Sequence, residues 1–113
     1  MRQIDKITVK ELSDTAVSMY GDFVKGVVDI NKKILVIDAE MHADAEQLLL
    51  ENGSDQNDLW GINIYPDRFK TNEFIEFDSM INIKPRQNNM SRYVEDEHIR
   101  QQIISIVLEK VAE

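Results

Sequence analysis

The sequence predicts an α+β fold in a single domain spanning residues 1–113. Three segments repeat apolar residues at helical spacing, and two pairs of β-branched or alternating runs lie between them, each pair joined by turn-forming residues. These elements follow one another as helix, hairpin, helix, hairpin, helix. A chain of 113 residues is long enough for one hydrophobic core but not for two. We therefore expect about four antiparallel strands, with the helices packed on one face of the sheet.

The first helix is predicted over residues 9–20. Thr8 and Glu11 have the spacing of a capping box, and Gly21 suits a left-handed stop. The runs FVKGVVDI and ILVIDA follow, joined by NKK, and predict a hairpin. Pairing Ile30 with Lys33 directs one set of apolar side chains to a common face, namely Val24, Val28, Leu35 and Ile37.

The second helix is predicted in HADAEQLLLENG, which has acids in its first turn and an Asn-Gly stop, although the three leucines also suit a short strand. The runs LWGINIY and EFIEFDSMINI alternate with period two and predict the second hairpin, with Tyr65 opposite Phe74. This register directs Trp60 into the core, opposite the small Ser79. Its inward neighbours are Ile62, Ile64, Ile75, Phe77, Ile81 and Ile83.

The last helix is predicted to start at Glu95 or Asp96, where a carboxylate can cap the first turn. Its apolar stripe is formed by Ile99, Ile103, Val107 and Val111, and is widened by Ile104 and Leu108.

Two stretches, HADAEQLLLENGSDQNDLWGINIYP and IEFDSMINIKPRQNNMSRYVED, resemble the signature segments of a family of short uncharacterised prokaryotic proteins, catalogued as a domain of unknown function. The similarity runs from about residue 24 to residue 104. Its most specific parts are DLWGIN at residues 58–63 and FDSMINI at residues 77–83. The resemblance implies no activity, ligand or catalytic residue.

The composition restricts the classes of function. A net charge of -8 disfavours nucleic acid as a partner, since affinity for phosphate polymers requires clustered Lys and Arg. The start of the chain has no apolar signal region and no stretch is apolar enough for a membrane span, so the expected location is the cytoplasm. With no Cys, the chain has no disulfide or thiolate zinc site, and we expect no cofactor.

The loop between the last predicted strand and the last helix is basic in an acidic chain. Residues 79–92 contain three bases and no acid. Together with neighbouring amides and a hydroxyl, they provide donors beside a helix N-terminus, which favours a small anion. The candidate ligand-binding residues are Lys84, Arg86, Asn88, Asn89, Ser91 and Arg92. The alternative is an internal charge match of the arginines with Glu95, Asp96 and Glu97, and we expect this second arrangement.

The outer face of the second hairpin carries both apolar and acidic side chains. Leu59, Phe74 and Met80 share this face and predict an apolar patch, the kind that often forms an interface. Glu76 and Asp78 lie two residues apart on the same face, where a pair of carboxylates suits acid–base chemistry, and Gly61 opposite Asp78 leaves room for a ligand.

A metal site is disfavoured. The polar residues Glu40, His42, Asp44 and Glu46 recur at spacing two, which a helix separates onto opposite sides. No phosphate-binding loop or catalytic triad is present, and the catalytic residues stay unknown. The sequence thus favours a small cytoplasmic protein-interaction module that self-associates or binds a protein partner. The alternative is an enzyme or ligand-binding protein using Glu76 and Asp78, or an anion site at the basic loop.

Overall fold

The computed structural model describes residues 1–113 and has the predicted α+β class. It contains a five-stranded antiparallel sheet and a separate pair of short parallel strands. The helices are α1 Val9–Met19, α2 His42–Glu51 and α3 Glu97–Lys110. The strands are β1 Arg2–Gln3, β2 Ile7–Thr8, β3 Val24–Asp29, β4 Ile34–Ile37, β5 Leu59–Ile64, β6 Ile75–Glu76 and β7 Val111–Ala112. The chain also forms short strands at both ends, β1 and β2 before α1 and β7 after α3, which the sequence did not predict.

The strands of the large sheet lie in the order β1-β4-β3-β5-β6, with β3 at the centre. The register predicted for the first hairpin is confirmed, since Asp29 pairs with Ile34 in the same alignment that sets Ile30 opposite Lys33. The register of the second hairpin is confirmed where that ladder exists, because Asn63 pairs with Glu76. The estimate of four strands was one too few, because β1 adds to the free edge of β4.

One face of the sheet packs against α1 and α3 and forms the main core. The apolar set predicted for the first hairpin lies in this core, and so does Trp60, which is 1% exposed. Leu12 and Ala16 contribute from α1, while Ile103 and Val107 contribute from α3. The predicted helical stripes therefore face the sheet.

The helices do not all lie on one face, which corrects the expectation from the sequence. Ala45 and Leu49 of α2 pack against the opposite face, on Val27, Val36 and Leu59. The central strands are apolar on both sides, as in VKGVVD and LWGINI, and such strands are buried on both faces. The sheet therefore needs a cover on its second face, and α2 supplies it.

The helix termini follow their local chemistry. Thr8 accepts a hydrogen bond from the N–H of Glu11 at 3.1 Å, and the Glu11 carboxylate accepts one from the N–H of Thr8 at 3.1 Å. Gly21, just after α1, has a φ of +90°, which is the left-handed stop expected there. Asp96 caps α3 by accepting from the N–H of His98 at 2.8 Å. No helix is long and apolar enough to span a membrane.

The second hairpin is shorter than predicted, because its outer strand leaves the ladder after Glu76. The side-chain amide of Asn82 takes the place of a strand there. Its Oδ1 accepts from the N–H of Gly61 at 2.8 Å, and its Nδ2 donates to the Gly61 carbonyl at 3.0 Å. Ser79 fills the space over Gly61, where an added Cβ would lie 2.5 Å from the Ser79 side chain. Gly61 thus permits close packing rather than leaving room for a ligand, and Ser79 faces Gly61 rather than Trp60.

Candidate functional site

One edge of the large sheet is formed by β6. Tyr65 donates its N–H to the Phe74 carbonyl at 2.8 Å, so the next bonded pair along the ladder is Asn63 with Glu76. The N–H and C=O of Ile75, which lies between these bonded pairs, therefore point away from β5. Phe77 makes no backbone hydrogen bond. Because β6 is the last strand of the sheet, these groups of Ile75 and Phe77 face outward.

A groove runs along this edge, and one half of it is apolar. This half has a volume of about 400 Å³ and lies between α3 and the β5–β6 connection. Leu108, on α3, is 47% exposed and forms part of its wall. The other apolar residues that line it are Phe74, Ile75, Phe77 and Ile104.

The other half of the groove is polar and has a volume of about 840 Å³. Asn72, Ile75 and Phe77 line both halves, so the two form one continuous depression. Side chains from both faces of the sheet reach the polar half, since Glu76 and Asp78 alternate with Ile75 and Phe77. A depression lined from both faces lies over the edge of the sheet rather than on one of its faces.

The two carboxylates of the polar half have different partners. Glu76 accepts hydrogen bonds from Asn63 Nδ2 at 2.8 Å and from the Tyr65 hydroxyl at 3.2 Å. Asp78 instead accepts from Arg92 Nε at 2.7 Å in a half-exposed ion pair. The pKa of Tyr65 is raised, first by its removal from solvent and then by the Glu76 carboxylate. Glu76 therefore has only neutral hydrogen-bonding partners, whereas Asp78 is neutralised by a cation.

His42 lies behind this cluster, at the start of α2. Its Nε2 is 2.8 Å from the carbonyl of Ile62, and its side chain is buried against the sheet. Burial lowers the pKa of His42, because the charged imidazolium loses its water, and the bond to Ile62 opposes this only in part. No group of three or more His, Asp and Glu side chains comes together in a way that could hold a metal ion.

The residues of the basic loop are not brought to one site. Lys84 and Arg86 line a depression beside Gln56, whereas Arg92 lies in the groove along β6. The Lys84 amine is mostly buried, donates to the Gln56 carbonyl at 2.9 Å and lies 5.2 Å from the centre of the Trp60 ring. Burial lowers the pKa of Lys84. Arg86 is exposed and makes no hydrogen bond or ion pair in the structure.

Side-chain amides of this loop form hydrogen bonds with the backbone of the loop. Asn89 is buried, and its Nδ2 donates to the carbonyls of Asn82 at 2.7 Å, Ser91 at 3.2 Å and Tyr93 at 2.6 Å. Its Oδ1 accepts from the N–H of Glu95 at 2.8 Å. Asn88 occupies the left-handed region with a φ of 59°, as its place in a turn requires. Asn88 and Asn89 thus have structural roles in the turns of this loop.

The charge match at the start of α3 differs from the prediction. Arg92 bonds Asp78 rather than the acids at residues 95–97. The Glu95 carboxylate instead accepts from the N–H of Met90 at 2.9 Å, the N–H of Ser91 at 3.1 Å and the Ser91 hydroxyl at 3.1 Å. These bonds lower the pKa of Glu95, the Met90 N–H most. The Glu95 carboxylate thus accepts hydrogen bonds from Ser91, one of the candidate anion-binding residues predicted from the sequence.

The apolar patch expected on the second hairpin does not form. Leu59 is 0% exposed because α2 covers it, and Phe74 is 3% exposed in the main core. Only Met80 stays exposed, at 65%. The prediction failed because it placed no helix on the second face of the sheet and extended the outer strand to residue 83.

Several residues of the groove were not identified as site residues from the sequence, among them Tyr93, Ile104 and Leu108. Tyr93 lies outside any periodic apolar pattern, so nothing in the sequence indicates a place beside Phe77. In the structure their ring centres lie 6.1 Å apart. Ile104 and Leu108 were assigned to the core because they widen the stripe of α3. The width of the apolar stripe on α3 was the signal that could have identified them. The stripe is wider than the sheet covers, and the residues at its margin line the groove.

These features define a small α+β protein with an open sheet edge in an amphipathic groove. The chain belongs to the family described as Protein of unknown function (DUF5674), which it matches over residues 3–110. The family resemblance found in the sequence is thereby confirmed. No curated protein and no solved structure matches the chain.

Proposed function

We propose that the protein is an interaction module that binds an extended segment of a partner protein along β6. The observation that carries this proposal is the outward direction of the backbone groups of Ile75 and Phe77 on the floor of the groove. A segment that adds as a further strand satisfies these groups and places alternate side chains against the two halves of the groove.

The walls of the groove favour a short segment over a large flat partner. Leu108 of α3 bounds the apolar half, and Arg92 and Tyr93 bound the polar half. Ser79 donates its N–H to the Arg92 carbonyl at 3.1 Å, so residues beyond Asp78 are already covered by this loop. The open edge is therefore short, and it suits a segment of about five residues at about 3.4 Å per residue.

The expected affinity is modest. Two backbone groups on each of two residues contribute about 0.5–1.5 kcal/mol per hydrogen bond, or about 2–6 kcal/mol together. Burial of two apolar side chains of the segment adds about 3–6 kcal/mol. The cost of association and ordering is of similar size, about 4–15 kcal/mol. The largest gain less the smallest cost is about 8 kcal/mol, so the dissociation constant is at best micromolar and we expect weak binding.

The test uses the synthetic peptide acetyl-Ser-Val-Gln-Val-Ser-amide, titrated to millimolar concentration while backbone amide resonances are followed by NMR. We expect saturable shifts of the Ile75 and Phe77 amides, and a loss of these shifts when both valine nitrogens of the peptide are methylated. Leu108→Lys should weaken binding, because it places a charge in the apolar half. Val17→Lys is the matched control, since Val17 is 72% exposed and does not line the groove. Shifts that do not saturate, or that lie away from β6, would contradict the proposal.

A second copy of the chain is the alternative occupant of this edge, and self-association was the expectation from the sequence. Sedimentation at micromolar concentration separates the two cases. A monomer that binds the peptide supports a partner segment, whereas a dimer that the peptide dissociates supports self-association through β6. Action in the cytoplasm is part of the same proposal and is tested by cell fractionation.

Acid–base chemistry at Glu76 and Asp78 is a weaker proposal. Both carboxylates line the polar half, which is the observation in its favour. Each is already engaged, Glu76 by Asn63 and Tyr65 and Asp78 by Arg92, so neither is held free for proton transfer. A hydrolase or isomerase activity lost equally in Glu76→Gln and Asp78→Asn would favour it over peptide binding.

A further inference from the structure

We infer that the segment bound along β6 carries a basic side chain opposite Glu76, flanked by apolar side chains that enter the half of the groove near Leu108. This inference rests on the proposed function, since it specifies the chemistry of the segment that binds there. It follows from the alternation of faces along β6 and from the charges that face the groove.

The unmatched charge of Glu76 favours a basic side chain opposite it. Its hydrogen-bond donors, Asn63 and Tyr65, are neutral, and it forms no ion pair within the chain. The cations of the groove are already used. Arg92 pairs with Asp78, and Lys70 pairs with Glu113 at 2.6 Å. Arg68 lies 4.0 Å from Glu73, and its guanidinium stacks on the Tyr65 ring. Opposite charges directly across two strands stabilise the pairing, so a Lys or Arg of the segment fits beside Glu76.

The apolar side chains are required by the other face of the same edge. Residues on either side of the basic one point to the opposite face, where Phe77 and the margin of α3 lie. Leu108 and Ile104 provide the wall there, and Leu108 is half-exposed without a segment. A Val, Ile or Leu at each flanking position covers this wall. The expected pattern is therefore apolar, basic, apolar.

The same charges disfavour a second copy of the chain at this edge. A two-fold antiparallel pairing must match the outward residues Ile75 and Phe77 with the outward residues of the second copy. Centred on Glu76, it sets Glu76 opposite Glu76 of the second copy. Centred on Phe77, it sets Glu76 opposite Asp78. Centred on Ile75, it meets the turn at residues 71–74, where the N–H of Phe74 bonds the carbonyl of Thr71. The first two place like charges opposite each other, which is destabilising.

The test compares three peptides that differ only at the centre, acetyl-Ser-Val-Xaa-Val-Ser-amide with Lys, Gln or Glu. Binding is measured by NMR from the shifts of the Ile75 and Phe77 amides at low salt. We expect the Lys peptide to bind about tenfold more tightly than the Glu peptide, with Gln between them. In Glu76→Gln, which keeps an acceptor for Asn63, the difference should fall below about twofold, and in Glu76→Lys the order should reverse.

The outcomes separate this inference from the proposed function. Equal affinity of the three peptides at Ile75 and Phe77 would overturn the basic side chain and leave strand addition intact. Tighter binding of the Glu peptide would overturn it in the same way. A Lys preference that persists in Glu76→Gln would place the charge contact elsewhere and also overturn it. The absence of shifts at β6 with every peptide would overturn both proposals.

Discussion

Replacement of Asn82 by Ala should strongly destabilise the protein. Asn82 is 0% exposed, and its amide makes three hydrogen bonds to main-chain groups, at 2.8 Å and 3.0 Å to Gly61 and at 3.0 Å to the Arg92 carbonyl. A neutral hydrogen bond contributes about 1 kcal/mol net, and a buried group left without a partner costs about 1–3 kcal/mol. The expected loss is therefore about 3–5 kcal/mol in the free energy of unfolding.

The assay is urea unfolding at pH 7, followed by the fluorescence of Trp60, which is the single Trp of the chain and the neighbour of Gly61. Asn82→Asp is the informative companion. It keeps an oxygen for the Gly61 N–H but turns a carboxylate toward two carbonyls, so it should be at least as destabilising as Ala at pH 7. Asn72→Ala is the control, because Asn72 is exposed, and it should change the free energy by less than about 0.5 kcal/mol.

A loss below about 1 kcal/mol in Asn82→Ala, with an unchanged dependence on urea, would refute the reasoning. It would mean that water or a shifted backbone satisfies Gly61 equally well. A stable Asn82→Asp variant would show in addition that the two donated hydrogen bonds are dispensable, and that Asn82 does not replace a strand.

Four further substitutions test other parts of the structure. Trp60→Ala should cost about 3–5 kcal/mol because it empties the core, and a loss below about 1 kcal/mol in urea unfolding would contradict its burial. Arg92→Ala should cost at most about 1 kcal/mol, as is usual for an exposed ion pair, and it should change the response to millimolar phosphate little; a saturable, salt-sensitive response abolished by it would restore the anion site. The folded pKa of Glu95 lies below its ordinary value of 4.5, so its contribution to stability is present above that pH and is lost as the pH falls through the folded pKa. Unfolding from pH 6 to 3 should show this loss in the wild type and not in Glu95→Gln. The pKa of His42 is lowered from 6.5, so the unfolded chain binds the proton first and stability falls as the pH drops below about 6.5. His42→Gln should remove this part of the pH dependence, while His98→Gln should keep it.

Several elements could be predicted because their signals lie within a few neighbouring residues. The capping box at Thr8 and Glu11, the cap at Asp96 and the left-handed Gly21 each depend on residues within one turn. The register of the first hairpin followed from pairing Ile30 with Lys33 across the short NKK turn. That of the second followed from the alternating runs that set Tyr65 opposite Phe74. Burial of Trp60 followed from the same alternation.

The end of the ladder and the face that each helix covers depend on contacts between residues far apart in the chain. The run EFIEFDSMINI alternates throughout, yet it leaves the sheet after Glu76. The side chain of Asn82, later in the same run, satisfies Gly61 instead of a strand. A side-chain amide that replaces a strand leaves no periodic signal. The two-residue strands β1, β2 and β7 are too short for one.

The candidate site could be located from the sequence only in part. Glu76 and Asp78 were identified by their spacing on one strand, and both line the groove along β6. The partner of each carboxylate depended on packing, since Arg92 is fourteen residues from Asp78 and Tyr65 is eleven from Glu76. The groove forms where three surfaces come together, namely the edge strand β6, the margin of α3 and the loop that contains Arg92 and Tyr93. Local patterns specify each of these surfaces, but only the three-dimensional fold sets the space between them.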